Sequence, residues 1–417
     1  MQSINLMSPA GSWESLQAAI KAGADSIYFG IDQFNMRMNT SKSFNINDLK
    51  KIAFLCKKAK VESYLVLNTL VYDNEINNLE EICAEAKNAQ LNAVIASDWA
   101  AIQTARKYDL SVHLSTQTNV SNLKALKFFA PYCDVIILAR ELSLPQIATL
   151  CSAIKEENIK GAKGRLIQIE VFGHGALCVS IAGKCYMSLA LYNQSANRGE
   201  CIQPCRRSYT VTDDQTGDQL KIDNKYVMSP RDLCTIGIID KLIQAGVSVL
   251  KIEGRGRTAD YVYKVTKAYR EAIDSIRDGT YSLEKIKKWT ASLKSVYNRK
   301  FWQGGYYLGH KMKEWAASYG SQSSLEKMYA GKVNNYFQKS QISEILIQDN
   351  PIKIGERIMV TGTTTGYAET VVEKILKNGK QVKTAPKGSI VTIPFPEKIR
   401  RNDKVYILKK RTKLFTP

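Results

Sequence analysis

The apolar residues of this chain fall into short runs separated by amphipathic stretches. Residues 4–8 form the first run, the amphipathic residues 12–24 follow, and a second run ends at Gly30. Apolar positions that recur every three to four residues indicate a helix, and short β-branched runs indicate strands. Gly23 stands where a glycine commonly follows a helix end. The opening stretch therefore predicts one βαβ unit.

Six more apolar runs repeat this arrangement, at residues 61–67, 93–96, 110–115, 134–138, 166–172 and 247–252. Eight strands that alternate with helices favour a closed parallel barrel over an open sheet, because closure leaves no exposed strand edge. The predicted fold class is therefore α/β, with a (β/α)8 TIM-like barrel. In such barrels the chemistry lies at the carboxyl ends of the strands.

Two regions depart from the repeat. Residues 173–234 follow the seventh strand and are far too long for a usual βα loop, and residues 209–228 within them read as a β-hairpin. From Met328 onward, short strands alternate with Gly, Pro and Asn, which is typical of a small antiparallel β-barrel. We predict a barrel domain at 1–320, which carries the excursion 173–234, and a C-terminal domain at 325–417.

The charge of the chain is strongly basic. The formal net charge is +20, from 59 Lys and Arg against 39 Asp and Glu. Residues 325–417 hold 18 of those cations against 8 of the acids. A basic surface can simply aid solubility, but it also attracts polyanions, of which RNA is the commonest in the cytoplasm. We expect the C-terminal domain to hold RNA.

The nine cysteines divide into scattered and clustered ones. The chain shows no apolar run long enough for a membrane span and no signal peptide, so we expect a cytoplasmic protein. Thiols stay reduced there, which makes disulfides unexpected. The four scattered cysteines stand in apolar stretches, where a free thiol packs as a small hydrophobe. These are Cys56, Cys83, Cys133 and Cys151.

The clustered cysteines lie in or near the excursion 173–234. They are Cys178, Cys185, Cys201, Cys205 and Cys234. No two of them form the CxxC pair of a zinc ribbon, so spacing leaves zinc, an iron–sulfur cluster and plain packing open. The surroundings favour a cluster, because glycines let backbone amides approach cluster sulfurs and arginines offset the charge of a thiolate-bound cluster. Those residues are Gly175, Gly183, Gly199, Arg198, Arg206 and Arg207.

Acid–base candidates follow from the strand-end rule. His174 stands at the end of the seventh strand, and its separation from Cys178 gives no reason to expect the hydrogen bond of a peptidase dyad. Glu170 and Glu253 are the candidate proton carriers beside it. His113 lies inside the fifth strand, and we expect it to be a hydrogen-bonded core residue.

Several stretches of this sequence resemble one family. "EVFGHGALCVSIAGKCYMS" from Glu170, followed by "NRGECIQPCRRSY", is similar to the signature of peptidase family U-32, the collagenase-like peptidases. "LSTQTNVSN", "SPRDLC" and "KIEGRGRTADYV" match in the same order. The small C-terminal barrel also resembles the extra domain of the longer members.

The resemblance implies an oxygen-independent hydroxylation protein. One branch of the family makes 5-hydroxyuridine at the wobble position of tRNA with prephenate, another hydroxylates a cytidine of 23S rRNA, and a third serves ubiquinone synthesis. Length and architecture favour the tRNA branch, with 23S rRNA hydroxylation or genuine peptidase activity as alternatives. The resemblance also implies a 4Fe–4S cluster on Cys178, Cys185, Cys201 and Cys234, and it leaves open whether Cys205 replaces Cys201.

A uridine must leave its stack to react, so we expect it to enter the mouth of the barrel. Prephenate has two carboxylates, which strand-end cations would bind unless they form structural ion pairs with Glu141 or Glu253. The candidates are Arg37, Arg140, Lys251, Arg255 and Arg257. Asn68, Gln117 and Asn119 would read the uracil edge or tie loops together. The expected partner is the tRNA anticodon loop, with a paralogous family member left open and no membrane or DNA.

Overall fold

The computed structural model describes residues 4–38, 44–181, 183–222, 228–302, 315–316 and 320–412. Its first part is an alternation of strands and helices. The strands are β1 (Asn5–Ala10), β2 (Ser26–Phe29), β3 (Glu62–Leu67), β4 (Ala93–Ala96), β5 (Ser111–Leu114), β6 (Val135–Ile137), β7 (Gln168–Gly175), β8 (Tyr209–Thr212), β9 (Gln219–Ile222), β10 (Asp232–Cys234), β11 (Val249–Ile252) and β12 (Phe301–Trp302).

Helices alternate with these strands, and several of them begin at a side-chain cap. They are α1 (Trp13–Lys21), α2 (Leu49–Lys58), α3 (Ile76–Asn88), α4 (Trp99–Lys107), α5 (Leu123–Phe129), α6 (Leu144–Glu156), α7 (Met187–Tyr192), α8 (Ile239–Gln244), α9 (Ala259–Arg277) and α10 (Leu283–Lys294). In α1, the Ser12 hydroxyl accepts the N–H of Ser15 at 3.2 Å, and Gly23 follows with φ +87°. None of the helices in these described ranges is long and apolar enough to cross a membrane.

The eight predicted strands close into a parallel barrel. Strands β1 to β7 pair in chain order, and β11 pairs with both β1 and β7. Each of the eight apolar runs overlaps one of these strands, so the prediction of a TIM-like barrel is confirmed. Side chains alternate between the barrel interior and the layer under the helices. The interior group includes Met7, Tyr28, Tyr64 and Val66.

The layer between barrel and helices is the larger apolar core. Cys56, Cys83, Cys133 and Cys151 all lie in it with at most 5% exposure, which confirms that the scattered cysteines are buried. Burial raises the pKa of Cys56, Cys83 and Cys151 to about 12, so these thiols stay protonated.

The excursion after β7 returns to the barrel before β11. Strands β8 and β9 form the predicted hairpin, of which residues 223–227 lie outside the described residues. Strand β10 then pairs antiparallel with β7, and β12 pairs with β10. The excursion therefore begins and ends beside the same strand, and its middle is free to fold over the mouth of the barrel.

The C-terminal domain is a separate antiparallel sheet. Its strands are β13 (Leu325–Phe337), β14 (Ile342–Ile347), β15 (Ile352–Lys353), β16 (Arg357–Gly362), β17 (Gly366–Val371), β18 (Leu376–Lys377), β19 (Lys380–Gln381), β20 (Thr384–Ala385), β21 (Ile390–Pro394) and β22 (Lys404–Lys410). The main sheet has the order β17-β16-β22-β13-β14-β21-β18-β19 around its own apolar core, and it forms a half-barrel. Strand β17 packs on α1 and α9, where Lys21 donates to the carbonyl of Tyr367 at 2.8 Å.

Candidate active site

A cavity opens at the carboxyl ends of the barrel strands, where the strand-end rule places chemistry. Its apolar wall comes from inward-facing side chains of the barrel. These are Tyr28, Val66, Ile95, Ile137 and Phe172. The excursion covers this wall and supplies the opposite side of the cavity.

Four cysteine side chains line this cavity: Cys178, Cys185, Cys201 and Cys205. The chain reaches them by folding tightly against the loop after β2. Gly199 has φ +87°, and a Cβ there would lie 2.2 Å from the carbonyl oxygen of Asn35. A side chain at position 199 would therefore push the cysteine-bearing loop away from the barrel.

Polar groups contact three of the four thiols. The backbone N–H of Met187 donates to Sγ of Cys185, and that of Gln203 donates to Sγ of Cys201, both at 3.4 Å. Desolvation opposes ionisation of Cys178, but the Ser180 hydroxyl at 3.2 Å and the Arg140 guanidinium outweigh it and lower the pKa of this thiol. Cys205 differs, because desolvation raises its pKa despite the neighbouring Arg206.

Cys234 does not join this group, contrary to the ligand set that the resemblance implies. It lies on β10 with 2% exposure, and the Tyr269 hydroxyl is 3.9 Å from its Sγ. Burial raises its pKa to about 11. Strand β10 runs alongside β7 under α9 and holds this thiol in the core. The structure therefore brings Cys205 to the cavity in the place of Cys234, and it keeps Cys201 as well.

His174 also points away from the cavity, which corrects its assignment as a catalytic candidate. Its Nδ1 lies 3.3 Å from the Tyr269 hydroxyl, and its ring packs edge-on against Tyr269 and Phe301. Burial lowers its pKa to about 4, so the imidazole is neutral at physiological pH. A dyad with Cys178 is not formed, since the ring faces the packed layer beneath α9.

Four of the five predicted cations line the cavity: Arg37, Arg140, Lys251 and Arg255. Arg140 donates to the carbonyl of Ser180 at 3.4 Å, and Arg255 donates to Oδ1 of Asn35 at 2.8 Å. Burial lowers the pKa of Arg255 to about 10, which still leaves it charged at neutral pH. The fifth cation, Arg257, is outside the cavity lining, with its guanidinium 3.6 Å from the ring centroid of Tyr297.

Two of these cations, Arg37 and Lys251, form ion pairs with the predicted carboxylates Glu253 and Glu170. Arg37 contacts Glu253 at 3.4 Å, so the structural ion pair that the sequence left open is present there. Desolvation opposes ionisation of Glu253, but Arg37 and Arg257 outweigh it and lower its pKa. Glu253 lines the cavity, and its Oε2 also accepts the backbone N–H of Ala176 at 3.2 Å. It therefore connects the end of β11 to the start of the excursion.

A buried charge network forms the floor of the cavity. Lys251 donates to Glu170 at 2.8 Å, and Nδ1 of His113 lies 3.3 Å from the same carboxylate. Glu170 is fully buried and does not line the cavity itself. Burial opposes its ionisation, but Lys251 and His113 outweigh it and lower its pKa. His113 is thus the hydrogen-bonded core residue that the sequence predicts, and only Lys251 of this network faces the cavity.

The predicted amide side chains separate into two groups. Asn68 and Gln117 line the cavity and bind each other, with Nδ2 of Asn68 donating to Oε1 of Gln117 at 3.1 Å. Asn119 is not in the lining, contrary to its assignment as a binding residue. It ends the turn after β5 in the left-handed conformation, with φ 52°. An asparagine tolerates that conformation better than most residues, so its role here is in the loop.

Sequence reasoning missed several lining residues, among them Tyr28, Met36 and Ser180. Tyr28 is the clearest omission, because it alternates with Ile27 and Phe29 on β2 and the inward face of a barrel strand can be read from that period. Its ring lies 4.4 Å from Nζ of Lys251. Met36 and Ser180 lie in loops, where no periodicity reveals the facing side.

Comparison with known proteins places this geometry in a family. The chain matches the model of peptidase family U32 over residues 11–317. This protein belongs to peptidase family U32. The matched range holds barrel strands β2 to β7 and β11, the excursion and every residue described above as lining the cavity.

Relatives within the U32 family have two kinds of names. The chain is 48% identical over 406 residues to a collagenase of Porphyromonas gingivalis, covering 97% of this chain and 98% of that one. It is 29% identical over 370 residues to a tRNA hydroxylation protein of Bacillus subtilis, covering 86% and 83%. It is 33% identical over 277 residues to a 23S rRNA 5-hydroxycytidine synthase of Escherichia coli, covering 66% of this chain and 40% of that one.

Proposed function

We propose that this U32 protein is an oxygen-independent tRNA hydroxylation enzyme that forms 5-hydroxyuridine at the wobble position. It would use a 4Fe–4S cluster and take prephenate as co-substrate. The observation that carries the proposal is that four thiols and four cations line one cavity at the mouth of the barrel. Metal-binding thiolates and a site for a dianion would then lie in the same cavity as the substrate.

The set of donor atoms fits such a cluster. We assign Cys178, Cys185, Cys201 and Cys205 as its ligands, in place of the set with Cys234. Among the described residues, no three His, Cys, Asp or Glu side chains are close enough to hold a single metal ion. The thiolate sulfurs around a 4Fe–4S cluster lie farther apart than those around one zinc ion, because each thiolate binds a different iron. When bound, the cluster would supply electron transfer or Lewis-acid chemistry.

The charge of the cavity supports a dicarboxylate ligand. Glu253 is the one carboxylate among the described lining residues, and Glu170 lies directly beneath Lys251. Four lining cations against these two acids leave an excess of two positive charges. A buried dianion needs such fixed cations, and guanidinium groups bind carboxylates in bidentate fashion. Arg140 and Arg255 are not in ion pairs with these acids, so we assign them to the prephenate carboxylates.

The apolar wall and two amide side chains of the lining suit a flipped base. The apolar wall includes the rings of Tyr28 and Phe172, on which a base can stack. Asn68 and Gln117 present amide groups that can bind the edge of a uracil. Their mutual hydrogen bond fixes both side chains before a base arrives, which reduces the entropic cost of binding.

The basic C-terminal domain supports an RNA partner. Lysines recur along its segment 374–387, at Lys374, Lys377, Lys380, Lys383 and Lys387. Four of these side chains are exposed, and Lys377 is half-buried. Such a row attracts the phosphate backbone of RNA.

The Bacillus subtilis relative matches this chain along most of both lengths, whereas the Escherichia coli relative is covered for only 40% of its own length. We therefore favour tRNA over 23S rRNA.

Peptidase activity is the second candidate, because the relative at 48% identity is named a collagenase. A cysteine peptidase needs a base within hydrogen-bond reach of its thiol. Among the described residues that line the cavity there is no histidine, and the neighbours of Cys178 are Ser180 and Arg140. This part of the chain therefore favours hydroxylation over peptide cleavage.

The decisive experiment is mass spectrometry of tRNA nucleosides from a strain that lacks the gene. We expect 5-hydroxyuridine derivatives to disappear and to return with a plasmid copy of the wild-type gene. A C205S copy should fail to restore them, and a C234S copy should restore them if it folds. Unchanged tRNA nucleosides in the deletion strain would overturn the proposal. Cleavage of a collagen-like substrate by the purified protein in that case would support the second candidate.

A further inference from the structure

Three tyrosine rings are exposed in the loop after β3 and in the excursion that covers the cavity. Tyr186 is 76% exposed, Tyr72 is 55% exposed and Tyr192 is 41% exposed. Tyr186 stands between Cys185 and Met187, which both line the cavity. Leu191 and Ile181 are exposed on the same excursion. Large exposed apolar side chains beside a cavity can form a binding surface.

Two of the rings are held in place by arginines. The guanidinium of Arg198 lies 4.2 Å from the ring centroid of Tyr72, and that of Arg207 lies 5.0 Å from the ring centroid of Tyr192. Arg198 is itself fixed, because it forms an ion pair with Glu75. Arg207 donates to the hydroxyl of Tyr192. We call these five residues, Tyr72, Tyr186, Tyr192, Arg198 and Arg207, the rim.

The chemistry of the rim fits single-stranded nucleic acid better than a protein partner. The formal net charge of +20 favours a polyanionic partner over a protein surface of mixed charge. Proteins that bind single strands combine cations along the backbone path with aromatic rings on which bases stack. The rim supplies both, since Arg198 and Arg207 lie against two of its exposed rings.

We propose that the rim is a stacking surface for the unpaired RNA bases that flank the base in the cavity. The inference rests on the proposed function for its RNA substrate, and it adds how the loop around the target base is held. Because Tyr186 is next to two cavity-lining residues, its ring would hold an adjacent base while Tyr72 and Tyr192 hold bases further along the strand. The rim therefore selects a single-stranded loop over a duplex, whose bases are already stacked on each other.

The test is RNA binding by the full-length protein, measured by fluorescence anisotropy. The probes are a labelled RNA hairpin with a wide single-stranded loop and a fully paired duplex with the same stem. Y186A should weaken binding of the loop probe about 5- to 150-fold, as expected for the loss of one stacked base. Y186W should bind it at least as well as the wild type. Binding of the duplex should not change.

F54A is the matched control, because Phe54 is 64% exposed on α2 and belongs to neither the cavity nor the rim. It should bind both probes like the wild type. Wild-type affinity of Y186A for the loop probe would overturn the inference, as would equal loss with F54A. If a collagen-like peptide instead binds in a Tyr186-dependent manner, the partner assigned here is wrong. Loss of 5-hydroxyuridine in the deletion strain would leave the proposed function standing in either case, so the two failures are distinguishable.

Discussion

Two regions that meet at the end of β7 give their cysteines opposite surroundings. In the excursion over the cavity, thiols face backbone N–H groups, a hydroxyl and a guanidinium, and the pKa of Cys178 is lowered. In the packed layer beneath α9, Cys234 and His174 lie against each other's strands with Tyr269 between them. Burial there keeps the thiol protonated and the imidazole neutral. Proximity in sequence to a reactive motif therefore does not give a residue its chemistry.

Substitution of one cysteine from each region should have the largest effect. C205S should lose the bound iron, because it removes one of four assigned ligands. C234S should keep it, because that thiol lies in the core. Iron and acid-labile sulfide, measured after anaerobic purification, check both variants. Full iron content in C205S together with its loss in C234S would reverse the assignment of the two regions.

Substitution of Lys251 tests whether its buried ion pair with Glu170 stabilises the fold. K251M should destabilise the fold by about 3–5 kcal/mol, because it leaves the fully buried Glu170 carboxylate without its main partner. The double variant K251M/E170Q should regain part of this loss. Urea unfolding monitored by circular dichroism measures both. A K251M variant as stable as the wild type would show that the ion pair does not hold the floor together.

Substitution of a cavity cation should weaken prephenate binding, whereas substitution of a loop residue outside the lining should not. R140Q should weaken prephenate binding about 10- to 150-fold, since a hydrogen bond to a charged group contributes about 1.5–3 kcal/mol. N119G keeps the left-handed conformation of its loop and lies outside the cavity lining, so it should bind prephenate like the wild type. Isothermal titration calorimetry measures both variants. Equal weakening in the two would mean that the effect comes from the loops and not from the cavity.

Because His174 is buried in the packed layer, we expect the stability of the fold to depend on pH. The pKa of His174 falls from 6.5 in the unfolded chain to about 4 in the fold, so between these values the unfolded state binds the additional proton. Stability therefore falls as the pH drops below 6.5, and the wild type should lose about 2 kcal/mol between pH 7 and pH 5 from this group. H174F lacks the titrating group and should lose less. The same loss in both proteins, measured by urea unfolding at the two pH values, would contradict the assignment.

The periodicity of the sequence was enough to predict much of this molecule. The eight apolar runs identify the barrel strands because each alternates or clusters apolar residues at the length of one strand. Strand ends then identify Arg37, Asn68, Gln117, Arg140 and Lys251, all of which line the cavity. These residues could be found because the rule depends only on where a strand ends and on the shared direction of parallel strands.

His174 shows where that rule fails. Strict alternation on β7 would turn it inward with Glu170 and Phe172. The pairing of β7 with β11 shifts by one residue, so that Lys251 pairs with Phe172 but Ile252 pairs with His174. Such a bulge moves the following side chain to the other face of the strand. Nothing in the sequence around Gly173 distinguishes this bulge from a regular strand.

By itself, then, the sequence of this protein determined the barrel, the separate C-terminal sheet and most of the cations at the mouth, because all of these follow from local periodicity and composition. Only the tertiary structure decided which cysteines share the cavity. Cys205 and Cys234 both stand in stretches that resemble the family. Their separation in the fold depends on the pairing of β10 with β7. That pairing is a long-range contact, and no local pattern of residues carries it.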